Sequence, residues 1–178
     1  MPDDPSAAEP EAHRLADDGI IPNNPELPLL LYRQALTPSG ADPASTFEEL
    51  FARHGWAGSW RDGIYPFHHY HSTAHEVLGI ARGRVRVRLG GEGGLRVELA
   101  AGDVVVLPAG TGHKNEGASP DLLVVGAYPP GQDWDLCRGE PGERPRRVLA
   151  NIAAVPLPEA DPVHGPDGPL TRLWRPAR

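Results

Sequence analysis

Five of the eight histidines, His68, His69, His71, His75 and His113, fall in the middle of the chain near turns. His69 and His71 are two apart on a presumed strand, so both side chains leave the same face. Ser72-Thr73-Ala74, a run of small residues suited to a bend, leads on to Glu76. From Glu76 the strand resumes with Leu78 and Ile80 on the glutamate's side, which sets the carboxylate at the open end of an apolar interior. The turn Pro108-Ala109-Gly110-Thr111-Gly112 can then bring His113 across to the others. Three imidazoles and a carboxylate converging in this way suit a divalent transition metal, with positions left for water, substrate or dioxygen. His75 competes with Glu76 for the third ligand position, and strand parity favours Glu76 because His75 lies on the opposite face. Tyr65, Ser72, Lys114 and Asn115 are close enough in sequence to reach the same pocket, as is His75. Tyr70 alternates away from it, and His68 has the parity of an outer-face residue.

Other chemistries find little support. Cys137 is the single cysteine, which excludes a disulfide framework and a multi-cysteine zinc site, and Asp135-Leu136-Cys137-Arg138 offers it no neighbouring base. The chain has no G-x-S-x-G elbow, P-loop or C-x-x-C. Gly90–Gly94 lacks the helix that must follow a dinucleotide loop, so it reads as a hairpin turn. Lys plus Arg number 17 against 24 Asp plus Glu, a formal charge of −7 that argues against nucleic acid. No run of about 18 apolar residues is present, which argues against a membrane-spanning helix. The acidic, proline-rich start MPDDPSAAEPEAHR has the wrong chemistry for a secretory or transit peptide, so the expected location is cytoplasmic.

The elements that must position these residues are marked out by proline. Of 21 prolines only Pro66, Pro108 and Pro120 lie between residues 44 and 128. Proline lacks a ladder donor and avoids central strands, so the sheet belongs in that middle stretch. Before it, Ser45 with Glu48 or Thr46 with Glu49 offers a capping box for one helix that Gly55 stops, and Leu29–Leu36 reads as a strand. Gly83–Leu89 alternates strictly, Gly90–Gly94 turns the chain, and Leu95–Leu99 alternates back, a hairpin signal. Val104–Leu107 and Leu122–Ala127 add further apolar strands. Short strands at this spacing predict an all-β sandwich or barrel. The domain reading is a poorly ordered tail over 1–19, a strand and helix arm over 20–60, a barrel over 61–128 and a proline-rich arm over 129–178. The last would pack on the barrel or on a partner subunit, with Arg146–Val155 adding a strand or edge.

At this point the residues carry a resemblance. Gly63-(five residues)-His69-Tyr70-His71-(four)-Glu76-(six)-Gly83 resembles the first signature motif of the cupin superfamily, and Gly102-(five)-Pro108-Ala109-Gly110-(two)-His113 resembles the second. One position departs: where the second motif usually ends in Asn the chain has Gly117, with Asn115 two residues early. The resemblance implies a small single-domain bacterial cupin, a double-stranded β-helix or jelly roll whose metal is held by His69, His71, Glu76 and His113. Iron, manganese, nickel, zinc, cobalt and copper all suit such a set. The expected function is a metal-dependent enzyme, a dioxygenase, isomerase or similar, acting on a small organic substrate in the barrel. The alternative is a non-catalytic cupin that binds metal or a small molecule, since the fold alone selects no reaction. The resemblance also implies a homodimer.

Overall fold

Alternating and continuously apolar segments become the strands of two antiparallel sheets in a computed structural model, which describes residues 9–143 and 147–175. The strands are β1 (Glu11–His13), β2 (Leu29–Tyr32), β3 (Ala57–Asp62), β4 (Glu76–Arg82), β5 (Arg84–Leu89), β6 (Leu95–Ala100), β7 (Val104–Leu107), β8 (His113–Ala118) and β9 (Leu123–Tyr128). Six of them form one sheet in the order β1-β2-β7-β4-β9-β3, and the other three form a second in the order β6-β5-β8. This is an all-β jelly roll of the expected class.

Side-chain parity builds its interior. Leu29, Leu31, Leu78, Ile80, Val105, Leu107 and Val124 of the large sheet meet Val85, Val87, Leu89 and Leu99 of the small one in a single buried cluster. The opposite face of the large sheet is also covered. Leu30, Tyr32, Val77, Val104, Val106, Val125 and Ala127 pack there against Phe47 and Phe51 and against Val163, Leu170 and Trp174 near the C-terminus. Two covered faces explain why β2 and β7 read as unbroken apolar runs, LLLY and VVVL, instead of alternating.

Helix α1 (Pro43–Arg53) supplies Phe47 and Phe51. It starts before the predicted capping box, with Asp42 at the N-cap making no side-chain cap and Pro43 in the first turn. Proline is suited to that position because its missing N–H has no helical partner there and its φ is already helical. Gly55 ends the helix at φ +84°. Gly79 on β4 lets α1 dock closely, since a Cβ at that position would meet Phe47 at 2.4 Å.

Two expectations about the flanks are corrected. Residues 11–13 are not an unordered tail: β1 pairs with β2, Glu11 opposite Leu31 and His13 opposite Leu29. Residues 1–8 lie outside the described residues. Residues 147–154 form helix α2 (Arg147–Ala154) and not a strand, with residue 146 outside the described range. Val148 and Ile152, four apart, share the face that packs on Ile21, Tyr70, Ala109 and Cys137, which is a helical period. A third helix, α3 (Pro169–Leu173), follows. The C-terminal segment is tied to the barrel through buried indoles: Trp56 Nε1 donates to the Ala160 carbonyl and Trp174 Nε1 to the Pro28 carbonyl, both at 2.9 Å. No helix among the described residues is long and apolar enough to cross a membrane.

Candidate metal centre

Glu76 is the first residue of β4 and shares the inward face with Leu78 and Ile80, so its carboxylate is buried at one end of the apolar interior. His113 is the first residue of β8 and lies opposite Leu89 of β5. His69 and His71 lie outside the regular strands, in a segment held by single bridges. His69 exchanges backbone hydrogen bonds with His113 at 2.9 and 3.2 Å, and Tyr70 does the same with Cys137, at 2.9 Å in each direction. The alternation expected of a strand survives these bridges, since Tyr70 turns away into the cluster beneath α2. The 108–112 turn is fastened to the same segment: the Gly110 N–H donates to the His71 carbonyl at 2.8 Å, and the Ala109 N–H to His75 Nδ1 at 2.9 Å.

These constraints bring His71, Glu76 and His113 together, all buried, with one ligand atom from each inside a common 4.8 Å. Glu76 Oε1 lies 3.4 Å from both His71 Nε2 and His113 Nε2. His69 lies against the trio, its ring centroid 3.9 Å from that of His113 and 6.0 Å from that of His71. All three imidazoles have the same orientation. The Nδ1–H groups donate outward to backbone carbonyls, His69 to Phe67 at 3.0 Å, His113 to Thr111 at 3.1 Å and His71 to Asp135. A carbonyl can only accept, so Nδ1 carries the proton and the Nε2 lone pair is left for the site.

The electrostatics follow from this geometry. Burial disfavours charge on Glu76, but the facing His71 and His113 outweigh it and hold the carboxyl well below the usual range. Burial likewise opposes charge on His71, yet the Glu76 carboxylate and the Asp135 carbonyl raise its pKa overall. His69, buried and beside His113, is pushed down to about 3 and stays neutral. An Nε2 proton can meet the Glu76 carboxylate, and a divalent cation can take its place with the Nε2 lone pairs and the carboxylate oxygen as ligands. The donor set therefore suits a cation.

The remaining residues singled out in the sequence divide into near and remote groups. Tyr65 meets His69 edge-on, with ring centroids 5.1 Å apart. Ser72 sits one layer back, donating its N–H to Asp135 Oδ1 at 2.6 Å and its hydroxyl to Oδ2. Asn115 supports the backbone at the departed motif position, its side-chain oxygen accepting the Gly117 N–H at 2.8 Å, where β8 slips register against β5. Lys114 lies opposite Arg88 in that ladder. His75 is not in the trio: its Nδ1 accepts from Ala109, and its ring packs 4.8 Å from that of Trp174. Burial lowers its pKa to about 4.

The sequence reading missed Tyr128, Trp134 and Asp135. Tyr128 shares the inward parity of Val124 on β9, a signal available one residue beyond the predicted strand end. Trp134 and Asp135 lie in the proline-rich arm, where no periodicity marks them.

Residues 62–125 match the cupin domain family. Across 93% of its length the chain is 42% identical to the uncharacterized protein YjlB of Bacillus subtilis (strain 168), covering 97% of that protein. Among solved structures it is similar to an acireductone dioxygenase from Bacillus anthracis with a cadmium ion in its active center, at 16% identity and a TM-score of 0.41, over 61% of this chain and 82% of that one. It is also similar to RmlC from Streptococcus suis in complex with dTDP-D-xylose, at 11% identity and a TM-score of 0.35, over 67% and 69% of the two chains. With both signature stretches framing the buried histidines and a full-length relative at this identity, the chain belongs to the cupin family.

Proposed function

We propose that His71, Glu76 and His113, with His69 beside them, hold one divalent transition metal, and that the protein is a metal-dependent enzyme acting on a small organic substrate at the barrel mouth. The supporting observation is the shared orientation of the imidazoles, each with Nδ1–H committed to a backbone carbonyl and Nε2 left as a ligand atom. A bound divalent metal supplies an electrophile that polarises a substrate oxygen. The chain itself orients the ligands through Phe67, Thr111 and Asp135, keeps His69 neutral, and places the Tyr128 hydroxyl, which accepts from Trp60 Nε1 at 2.8 Å, near Glu76. Burial and the Glu76 charge raise the Tyr128 pKa, so this phenol keeps its proton at neutral pH. The proposed assembly is a homodimer, for which light scattering should give twice the chain mass.

Elemental analysis of untagged protein beside a His71→Ala/His113→Ala variant tests the site. Stoichiometric divalent metal in the parent, absent from the folded variant, is the expected result. Equal and negligible metal in both proteins after reconstitution would end the metalloenzyme reading.

A further inference from the structure

Two aromatic stacks stand beside the histidines. Tyr65 stacks on Phe67, with centroids 4.9 Å apart and planes 13° off parallel, and both rings meet His69 edge-on. Trp134 stacks on Tyr128, with centroids 6.3 Å apart and planes 19° off parallel, and both meet His71 edge-on. The inner member of each stack is occupied: the Arg138 guanidinium lies 3.8 Å over the Phe67 ring, and Tyr128 is buried. The outer members are not. Tyr65 is 48% exposed and Trp134 49% exposed.

Trp134 keeps an open face although its backbone is firmly held. The Thr73 hydroxyl donates to the Asp133 carbonyl at 2.6 Å, the Ser72 N–H to Asp135 Oδ1 at 2.6 Å, and the Tyr70–Cys137 bridge closes the segment. A large aromatic side chain kept open by a rigid support is preorganised for a ligand, because little freedom remains to be lost on binding. Three nearby polar atoms are already committed: the Ser72 hydroxyl to Asp135, the Asn115 oxygen to Gly117, and the Tyr128 oxygen to Trp60. A polyol would need such groups free, whereas a flat unsaturated ring needs only the faces.

Resting on the metal-site reading, we propose that this cupin takes a small planar ligand, an aromatic or conjugated ring carrying an oxygen pair that reaches the metal position. Tyr65 and Trp134 supply its binding faces.

Benzohydroxamate and acetohydroxamate share one chelating group and differ in the ring, so they separate stacking from metal binding. Calorimetric titration of both into zinc-loaded protein, with zinc measured in the same samples, should show benzohydroxamate binding about tenfold more tightly. Tyr65→Ala and Trp134→Ala should each bring the ratio to within about threefold and leave acetohydroxamate affinity unchanged, while Trp134→Phe keeps the preference. Equal affinity of the two probes for protein holding stoichiometric zinc would overturn the aromatic-ligand inference and leave the metal site standing. Failure to retain zinc would overturn both. A ring preference untouched by either alanine variant, with those variants turning a dimer into a monomer, would reassign the faces to contact with a second copy and overturn the inference.

Discussion

Asp161, near the C-terminus, and Glu76, at the barrel mouth, are both buried carboxylates, yet their surroundings have opposite logic. Asp161 Oδ1 accepts the N–H groups of Val163 at 2.8 Å and His164 at 3.0 Å, while Oδ2 accepts the Leu170 N–H at 3.0 Å and the Tyr32 hydroxyl. Its charge is met by neutral donors fixed in the backbone, so it closes a structural joint between β2 and the start of α3. Glu76 faces two imidazole Nε2 atoms at 3.4 Å, each able to act as a metal ligand. Burial alone therefore does not mark a functional carboxylate. The partners do: hydrogen-bond donors complete Asp161, whereas the ligand atoms around Glu76 call for a cation.

The contrast is sharpest in a pair of substitutions. Asp161→Ala leaves three N–H groups and a phenol without an acceptor in a buried site, and should cost about 3–5 kcal/mol in denaturant unfolding. Metal content per folded molecule should be unchanged, and a cost below about 1 kcal/mol would show that Asp161 is not a joint. Glu76→Gln should behave in the reverse sense. Metal affinity should fall by about 100-fold or more, whereas the metal-free protein should lose less stability than Asp161→Ala does, because the glutamine amide keeps the shape of the side chain and can still hydrogen-bond the imidazoles. A large loss of metal-free stability would make Glu76 a second structural carboxylate.

The smallest effect is a pH dependence at the joint. Burial and the adjacent Asp161 raise the Tyr32 pKa above its ordinary value of 10.0. A raised folded pKa gives stability that is complete below the unfolded pKa and is lost as pH rises above it. Stability should thus fall by about 1 kcal/mol more between pH 10 and 11 in the parent than in Tyr32→Phe. Parallel pH profiles for the two proteins would remove the phenol from the joint.

The sequence made parts of this molecule legible and left others dark for definable reasons. Strands whose faces differ, such as β5 and β6, show their period directly. Edge strand β3 is mostly exposed on both faces, so Ala57–Asp62 carries no alternation to find. Strand β8 reads HKNEGA because it is polar and slips register near Gly117, and only its pairing with β5 makes it a strand. The sequence predicts a strand or edge where helix α2 forms, because Val148 and Ile152 acquire a buried face only where the arm meets Tyr70 and Ala109.

At the site, local rules carried the ligand candidates. The two-residue period of extended chain put His69 and His71 on one side and Tyr70 on the other. The same period put Glu76 with Leu78 and Ile80, and set His75 apart. Those facts depend only on neighbours along the chain. Tertiary structure decided the remainder: that Glu76 Oε1 stands equally far from His71 and His113, that Asp135 reaches back across more than sixty residues to fix the His71 ring, and that Trp134 is left with an open face beside it. Any residue can offer a carbonyl, and any aromatic can be covered or bare, so those roles have no signature in spacing. They arise when the C-terminal segment is laid against the barrel mouth, because a hydrogen bond or a ring contact depends on distance in space, which folding alone sets.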